Sequence, residues 1–522
     1  MGKYLLRRLL HGAVSIVVVV GIVMVMIYSL LDRDQVFAAD PMYSKVGGNQ
    51  KTVYCYGRWE EYGYLDFVPY ADYLAELAKN GEIDGETQGA AAAIGRTADK
   101  DSELVAGYVQ KFTEHYESQG YTVIRLNAKL NGRKLANGGQ QQLFAYKDHS
   151  LLKRMWRYFS GLLTFDNIHA VANVEGERGL TFTWYDPVYG GEKLSPAIIG
   201  NGTRHKYLLY LDDKFPFIHQ NFVTLSLGTS YSVTRGIDVF DTMSRSQGSY
   251  VLSTVTFPTG LTEQSADDLH TAVYQPGSRV GNIVNEARFT DDYTNVQIIK
   301  GRPSKVGYSF TIGIIAVGLA YLLGVPLGIM MARKKDKLFD KLGTVYIVFI
   351  IAVPSLAYIF LFKAVGGRLG LPTTFDMESS SKLMFLLPII SLALPSVANL
   401  MKWLRRYMID QMNADYVKFA RSGGLSEGEI FSKHVLKNAA IPIVHGIPAG
   451  VLSALTGAII TERVYVVPGA GNLLTEAINK YDNGVIVGVT LFYAVLSVVS
   501  IILGDILMAT VDPRISFSTK DR

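Results

Sequence analysis

Long apolar runs broken by prolines constrain this chain more than any other feature. A bilayer core about 30 Å thick takes roughly 20 predominantly apolar residues as helix. Six segments are long and apolar enough: residues 9–31, 308–331, 342–362, 383–404, 440–460 and 484–510. Five of them follow a polar block of more than 250 residues, at 32–305. Prolines 326, 354, 388, 395, 442 and 448 fall inside these runs. Such breaks survive in lipid only where neighbouring helices or a lined cavity satisfy the freed backbone groups. The pattern predicts an α-helical polytopic membrane protein whose helices surround a pathway.

Lys and Arg in the short connections set the orientation. Lys3, Arg7 and Arg8 precede the first run, Arg333 to Lys341 follow the second, and seven basic residues run from Lys402, at the end of the fourth, to Lys437, before the fifth. Arg514, Lys520 and Arg522 end the chain. The alternate connections hold only Arg368 and Lys382, and Arg463 and Lys480. Both termini are therefore expected in the cytoplasm, and 32–305 outside the cell. A cleaved leader is the alternative for the first run, but its apolar stretch exceeds a usual signal core.

A block of that length must fold. Segments 121–126, 207–211 and 250–257 read as strands, and 70–79, 102–118 and the amphipathic 151–163 as helices, giving a mixed α/β extracellular domain. Its many tyrosines suit a protein-contact surface as well as an ordinary core. Cys55 is the sole cysteine, which excludes an intrachain disulfide and a Cys-rich zinc site. It reads as an unpaired core thiol, with an intermolecular bridge or lipid attachment as alternatives. A net charge of +5 without a basic stripe supports no nucleic-acid binding.

The most informative cytoplasmic stretch is 415–429, DYVKFARSGGLSEGE. It reads as two short helices about a tight turn. Gly423 and Gly424 supply positive φ, and Ser426 with Glu429 forms a capping box. Ala420 and Gly424 permit close backbone approach, while Phe419, Leu425, Ile430 and Phe431 add apolar groups to a basic segment. Such an elbow is built to dock or to pack on itself. Within it, Gly424 to Gly428 also satisfies G-x-S-x-G, but a hydrolase needs a strand–turn–helix setting that is missing here. There is no G-x-x-x-x-G-K-[ST] phosphate loop and no H-E-x-x-H, so neither ATP hydrolysis nor metal catalysis is expected of this chain. Asp505, toward the cytoplasmic end of the sixth run, reads as a structural hydrogen bond near the headgroups or as a contact of the pathway. Lys363 and Glu462 stand at outer ends, and His445 reads as a neutral packing residue.

These motifs, taken together, resemble the membrane subunits of ABC importers, in the dipeptide/oligopeptide permease branch. Ala420 and Gly424 occupy the Ala and Gly of that family's loop motif, with Lys418 where the general pattern has Glu. ERVYVVPGAG at 462–471 resembles its E-x-V-F-x-x-P-G-x-G, DPRI at 512–515 its C-terminal D-P-R-I, and LGTS at 227–230 its L-G-x-S, without the preceding Asp. The long insert, with HKYLLY at 205–210 and FPFIHQNF at 215–222, resembles the Ami-type permeases of Gram-positive bacteria.

The resemblance implies the type I importer fold: a tail and first helix at 1–31, an inserted domain at 32–305, and five helices at 306–522 with a coupling loop at 405–439. Lys418, Phe419, Ala420, Gly424, Leu425, Ser426 and Glu429 would meet a cytoplasmic ATPase, and Glu462, Pro468, Gly469 and Gly471 would form an outer-end motif. It also implies a homologous second permease, two ATPase subunits that hold ATP and magnesium, an extracellular substrate-binding lipoprotein, an oligopeptide substrate, a plasma-membrane location and no cofactor in this chain. A receptor or sensor is the competing reading, motivated by the large outer domain. It lacks the cytoplasmic output domain a sensor requires.

Overall fold

In the computed structural model the described residues are 2–511, excepting 187, 189–190, 212–217, 276–282, 292–293 and 380; the side chains of 2–3 and 453–457 are also excepted. The 512–515 motif, the basic tail beyond it and residues 215–217 of the 215–222 segment lie outside the described residues.

The chain opens with helix α1 (Gly2–Leu30). An inserted domain follows, with helices α2 (Gly48–Glu61), α3 (Tyr70–Lys79), α4 (Gly85–Ala91), α5 (Glu103–Ser118), α6 (Leu151–Ser160), α7 (Val239–Ser244) and α8 (Ile283–Arg288). Strands Leu65–Pro69 and Thr122–Leu126 flank Gln142–Asp148 in an antiparallel sheet. Tyr70, Leu74 and Phe112, all buried, pack helices α3 and α5 against this sheet. A second antiparallel sheet orders Ile218–Gln220, Tyr207–Leu211, Ala197–Asn201 and Gly179–Thr183. The strands expected at 121–126 and 207–211 and the helices expected at 70–79 and 102–118 form, the last capped by Ser102. Two expectations are corrected. The amphipathic helix stops at Ser160, because Gly161 caps it and residues 163–165 pair as a strand. The 250–257 run is two strands, Gln247–Tyr250 and Ser253–Thr256, which pair with different partners.

The remaining helices form a bundle: α9 (Lys305–Arg333), α10 (Leu338–Ala352), α11 (Ser355–Arg368), α12 (Leu386–Met412), α13 (Asp415–Ser422), α14 (Glu427–Glu429), a π-helical stretch (Ile430–Leu436), α15 (Lys437–His445), α16 (Ile447–Tyr465), α17 (Ala470–Asn479) and α18 (Asn483–Val511). Helices α9 and α12 pack along their lengths, α1 lies against α18, and α16 touches α9, α17 and α18. Among the described residues, α1, α9, α12 (with the short 3₁₀ turn before it) and α18 are each long and apolar enough to cross a membrane.

The run at 342–362 is broken rather than straight. Helices α10 and α11 meet at 109°. Pro354 holds Val353 extended (φ −85°, ψ 129°), because the proline ring clashes with a helical residue before it. Counted as one span, the pair is the fifth. Pro326 and Pro395 instead sit inside continuous helices. The run at 440–460 is divided between α15 and α16 at Gly446, between Pro442 and Pro448.

Candidate functional site

The elbow has one face built in and one left open. Helix α13 ends where Gly423 N–H donates to Phe419 O (2.9 Å) and Leu425 N–H to Ala420 O (3.2 Å). Gly424 turns the chain at φ +84°, the left-handed region that glycine enters without steric cost. Gly423 stays at φ −76°, so only one of the two glycines expected to reverse the chain does so. The Ser426 hydroxyl accepts from Glu429 N–H (3.3 Å), and the Glu429 carboxylate accepts from Ser426 N–H (3.2 Å), completing the capping box. Val417, Ile430 and Val435 are buried against Ala332, Leu404 and Met408, which ties the elbow to the ends of α9 and α12. The opposite face is open. Phe419 is 76% exposed, beside the ion pairs Lys418–Asp415 and Arg421–Glu427. Ala420 and Leu425 are half-buried, and a β-carbon at Gly424 would meet nothing within 4 Å.

At the other end of the bundle, the 462–471 motif closes on itself. Helix α16 terminates with Val466 in the left-handed region (φ 59°) and Val467 N–H donating to Glu462 O (2.8 Å). The Glu462 carboxylate, fully buried, accepts the Ser309 hydroxyl of α9 (2.5 Å) and Asn472 N–H (3.0 Å). Ser309 Oγ in turn accepts Ala470 N–H (2.9 Å). A carboxylate thus sits at the N-terminus of α17, where free N–H groups and the helix dipole favour negative charge. Gly469 packs directly against the Glu462 carboxylate and Gly471 against Ile459, leaving no room for side chains. Pro468 O accepts from Gln247 of the inserted domain (3.2 Å). Lys363 of α11 reaches across to α16, where its ammonium donates to Val464 O (2.6 Å).

Asp505 is 7% exposed and accepts the Tyr4 hydroxyl (2.9 Å), with Arg8 Nη2 at 3.1 Å. It therefore ties the start of α1 to the end of α18. Sequence reasoning singled out the aspartate but not its partners.

It also missed Asp482. This fully buried carboxylate, one residue before α18, accepts the Ser230 hydroxyl and the N–H groups of Tyr231, Ser232, Val233 and Val485 at 2.6–3.1 Å. The only local signal was an acidic residue just ahead of an apolar helix. Gly484 and Gly488 let the LGTS loop lie against α18: a β-carbon at Gly484 would stand 1.9 Å from Thr229 O, and one at Gly488 2.6 Å from Leu227 O.

The arrangement comprises a rigid elbow with an exposed aromatic and two buried carboxylate clamps, and among the described residues no His, Cys, Asp and Glu cluster suited to a metal. Residues 324–517 match the family of the binding-protein-dependent transport system inner membrane component. Over its full length the chain is 32% identical to the oligopeptide transport system permease protein AmiC of Streptococcus pneumoniae, covering 99% of that protein. The chain belongs to the oligopeptide permease family of ABC importers. The dipeptide transport system permease protein DppB of Bacillus subtilis is 31% identical over 44% of this chain and 73% of its own length. DppB of Lactococcus lactis is 33% identical over 43% and 73%. The AmiC match runs through the inserted domain, whereas the DppB matches take in less than half of the chain. Membership makes the chain a multi-pass permease subunit of a transporter, and these relatives lend no support to a receptor.

Proposed function

We propose that this chain forms half of the translocation pathway of an ATP-driven oligopeptide importer. In this reading a homologous permease supplies the other half, two cytoplasmic ATPases bind ATP and magnesium and dock on the elbow, and a substrate-binding lipoprotein delivers the peptide from outside. The membrane is crossed six times, by α1, α9, the α10–α11 pair, α12, the α15–α16 pair and α18. Both termini lie inside a Gram-positive plasma membrane, and the inserted domain lies outside. The basic connections support this orientation, and the streptococcal relative supports the setting.

The observation that carries the reading is the two-faced elbow. Val417, Ile430 and Val435 fix it to the helix ends, while Phe419 stands exposed among paired charges. A rigid platform presenting an aromatic anchor suits a protein partner, whose energy concentrates in a few buried apolar contacts. An ATPase gripping this platform moves α9 and α12 with it.

Gly424→Arg tests the proposal. It is expected to abolish peptide uptake and co-purification of the ATPases while the chain still reaches the membrane. Undiminished uptake would rule the elbow out as the coupling site. Removal of residues 60–290 with lipoprotein docking intact would rule out the inserted domain as its receiver.

A further inference from the structure

Helix α6 leaves part of its apolar face uncovered although the rest of that face is packed against the protein. Its cations lie along the opposite flank, each beside a group of the inserted domain: Lys153 Nζ lies 3.0 Å from Asp66 Oδ2. The Arg154 guanidinium sits 3.5 Å from the Tyr28 ring centre and 3.8 Å from that of Tyr64. Arg157 Nη1 is 3.3 Å from His149 Nδ1. Two of its large apolar groups are uncovered. Leu152 and Trp156, four residues apart on one face, are 77% and 74% exposed. Leu163 and Phe165, on the strand that follows, are 53% and 67% exposed.

The position of the helix accounts for the uncovered apolar groups. A β-carbon at Gly21 of α1 would meet the Met155 methyl at 3.0 Å, and Met155, Tyr158 and Phe159 pack on the cluster containing Val20, Met24 and Ile27. Gly21 lies nine residues before Leu30, which is about 13 Å of helix. Apart from Ser29, the free face of α1 is apolar over that distance, with Ile22, Met26 and Leu30 each more than half exposed. Helix α6 therefore lies beside a lipid-crossing helix at a depth where that helix still presents only apolar groups.

We propose that α6 and the strand after it form a membrane-seated foot of the inserted domain, with Leu152, Trp156, Leu163 and Phe165 inserted into the lipid leaflet at the domain end of α1. The apolar surface is continuous with the lipid face of α1, and Trp favours the boundary between hydrocarbon and headgroups. Seating a helix this way also anchors the domain beside α1, so that lipid, and not only the connecting chain, sets its tilt. An amphipathic helix with cations on one side and Leu and Trp on the other is the chemistry of interfacial binding.

The test uses the full chain in lipid nanodiscs. In a Cys55→Ser background, nitroxide labels are placed at Trp156→Cys and, in a second variant, Leu152→Cys. Val25→Cys on α1 and Lys111→Cys on α5 serve as lipid and water references. The expected result is that both α6 labels collide with molecular oxygen in preference to an aqueous nickel chelate, as the Val25 label does. Accessibility to the chelate like that of Lys111 would overturn the proposal. Shielding from both reagents would overturn it as well, since that outcome marks coverage by another protein surface.

Discussion

Ser230 and Asp482, 252 residues apart in the chain, meet at 2.6 Å between hydroxyl and carboxylate. Three successive backbone N–H groups and the first turn of α18 converge on the same aspartate. This side chain gathers the densest of the contacts that fasten the inserted domain to the bundle, beside the Gln247–Pro468 bond. Asp482→Ala leaves those buried donors without an acceptor, and a hydrogen bond to a charged group is worth about 1.5–3 kcal/mol. A loss of roughly 3 kcal/mol is expected, read as a melting temperature several degrees lower in detergent. Asp482→Asn, which keeps one acceptor oxygen, is expected to fall between. An Asp482→Ala protein that melts like the parent would show that the other contacts, Gln247–Pro468 among them, suffice to hold the domain.

The glycines beneath that loop should behave unlike an open one. At Gly484 a methyl group would overlap Thr229 O, whereas at Gly318 it would meet nothing within 4 Å. Gly484→Ala is expected to cut the yield of monodisperse protein on size exclusion sharply. Gly318→Ala is expected to leave it unchanged or improve it, because alanine costs less helix entropy by about 1 kcal/mol.

Ser426 gives a local readout of the elbow. Loss of an N-cap costs about 1 kcal/mol, so Ser426→Ala should speed amide exchange over residues 427–430 about fivefold. Exchange in α9 and α12 should not change, since the buried anchors Val417, Ile430 and Val435 are untouched.

Arg8 and Asp505 call for a double-mutant cycle. The Arg8 side chain is 44% exposed while that of Asp505 is 9% exposed, so solvent screens the pair only from one side. A coupling of about 1 kcal/mol is expected between Arg8→Gln and Asp505→Asn in thermal unfolding. Strict additivity would mean that Tyr4 alone satisfies the carboxylate.

Burial pushes the Cys55 thiol up to about 11, with the nearby Asp34 adding to the effect. The thiol is therefore protonated at neutral pH and a poor nucleophile. Alkylation by iodoacetamide in the folded protein should be slow at pH 7 and should still be rising between pH 9 and 10. Rapid labelling at pH 7 would contradict the packing around α2.

The apolar runs were legible because lipid demands length and hydropathy from each segment separately. The elbow was legible for the same reason: Gly424, Ser426 and Glu429 act within a few residues of one another. The break at Pro354 was visible as a proline, but its 109° consequence depends on what surrounds α10 and α11. Pro326 and Pro395, alike in sequence, leave their helices continuous. The clamps at Glu462 and Asp482 escaped for another reason. Their partners, Ser309 and residues 230–233, lie far off along the chain, and no periodicity records such a meeting. The uncovered part of α6 was hidden too: amphipathicity shows that a helix has an apolar face, not how much of that face the rest of the chain covers.

The π-helical stretch Ile430–Leu436 joins the elbow to α15 and α16, the latter carrying Glu462 in its last turn. A widened turn there shifts the angular phase of everything beyond it. Each residue of α-helix advances the chain by about 100°. Deleting one residue from this stretch, and so restoring an ordinary turn, would swing α15 and α16 by an offset of that order and carry Glu462 away from Ser309. The stretch works as a gear tooth, keeping the two ends of the bundle in mesh, and its length should tolerate change less well than its side chains do.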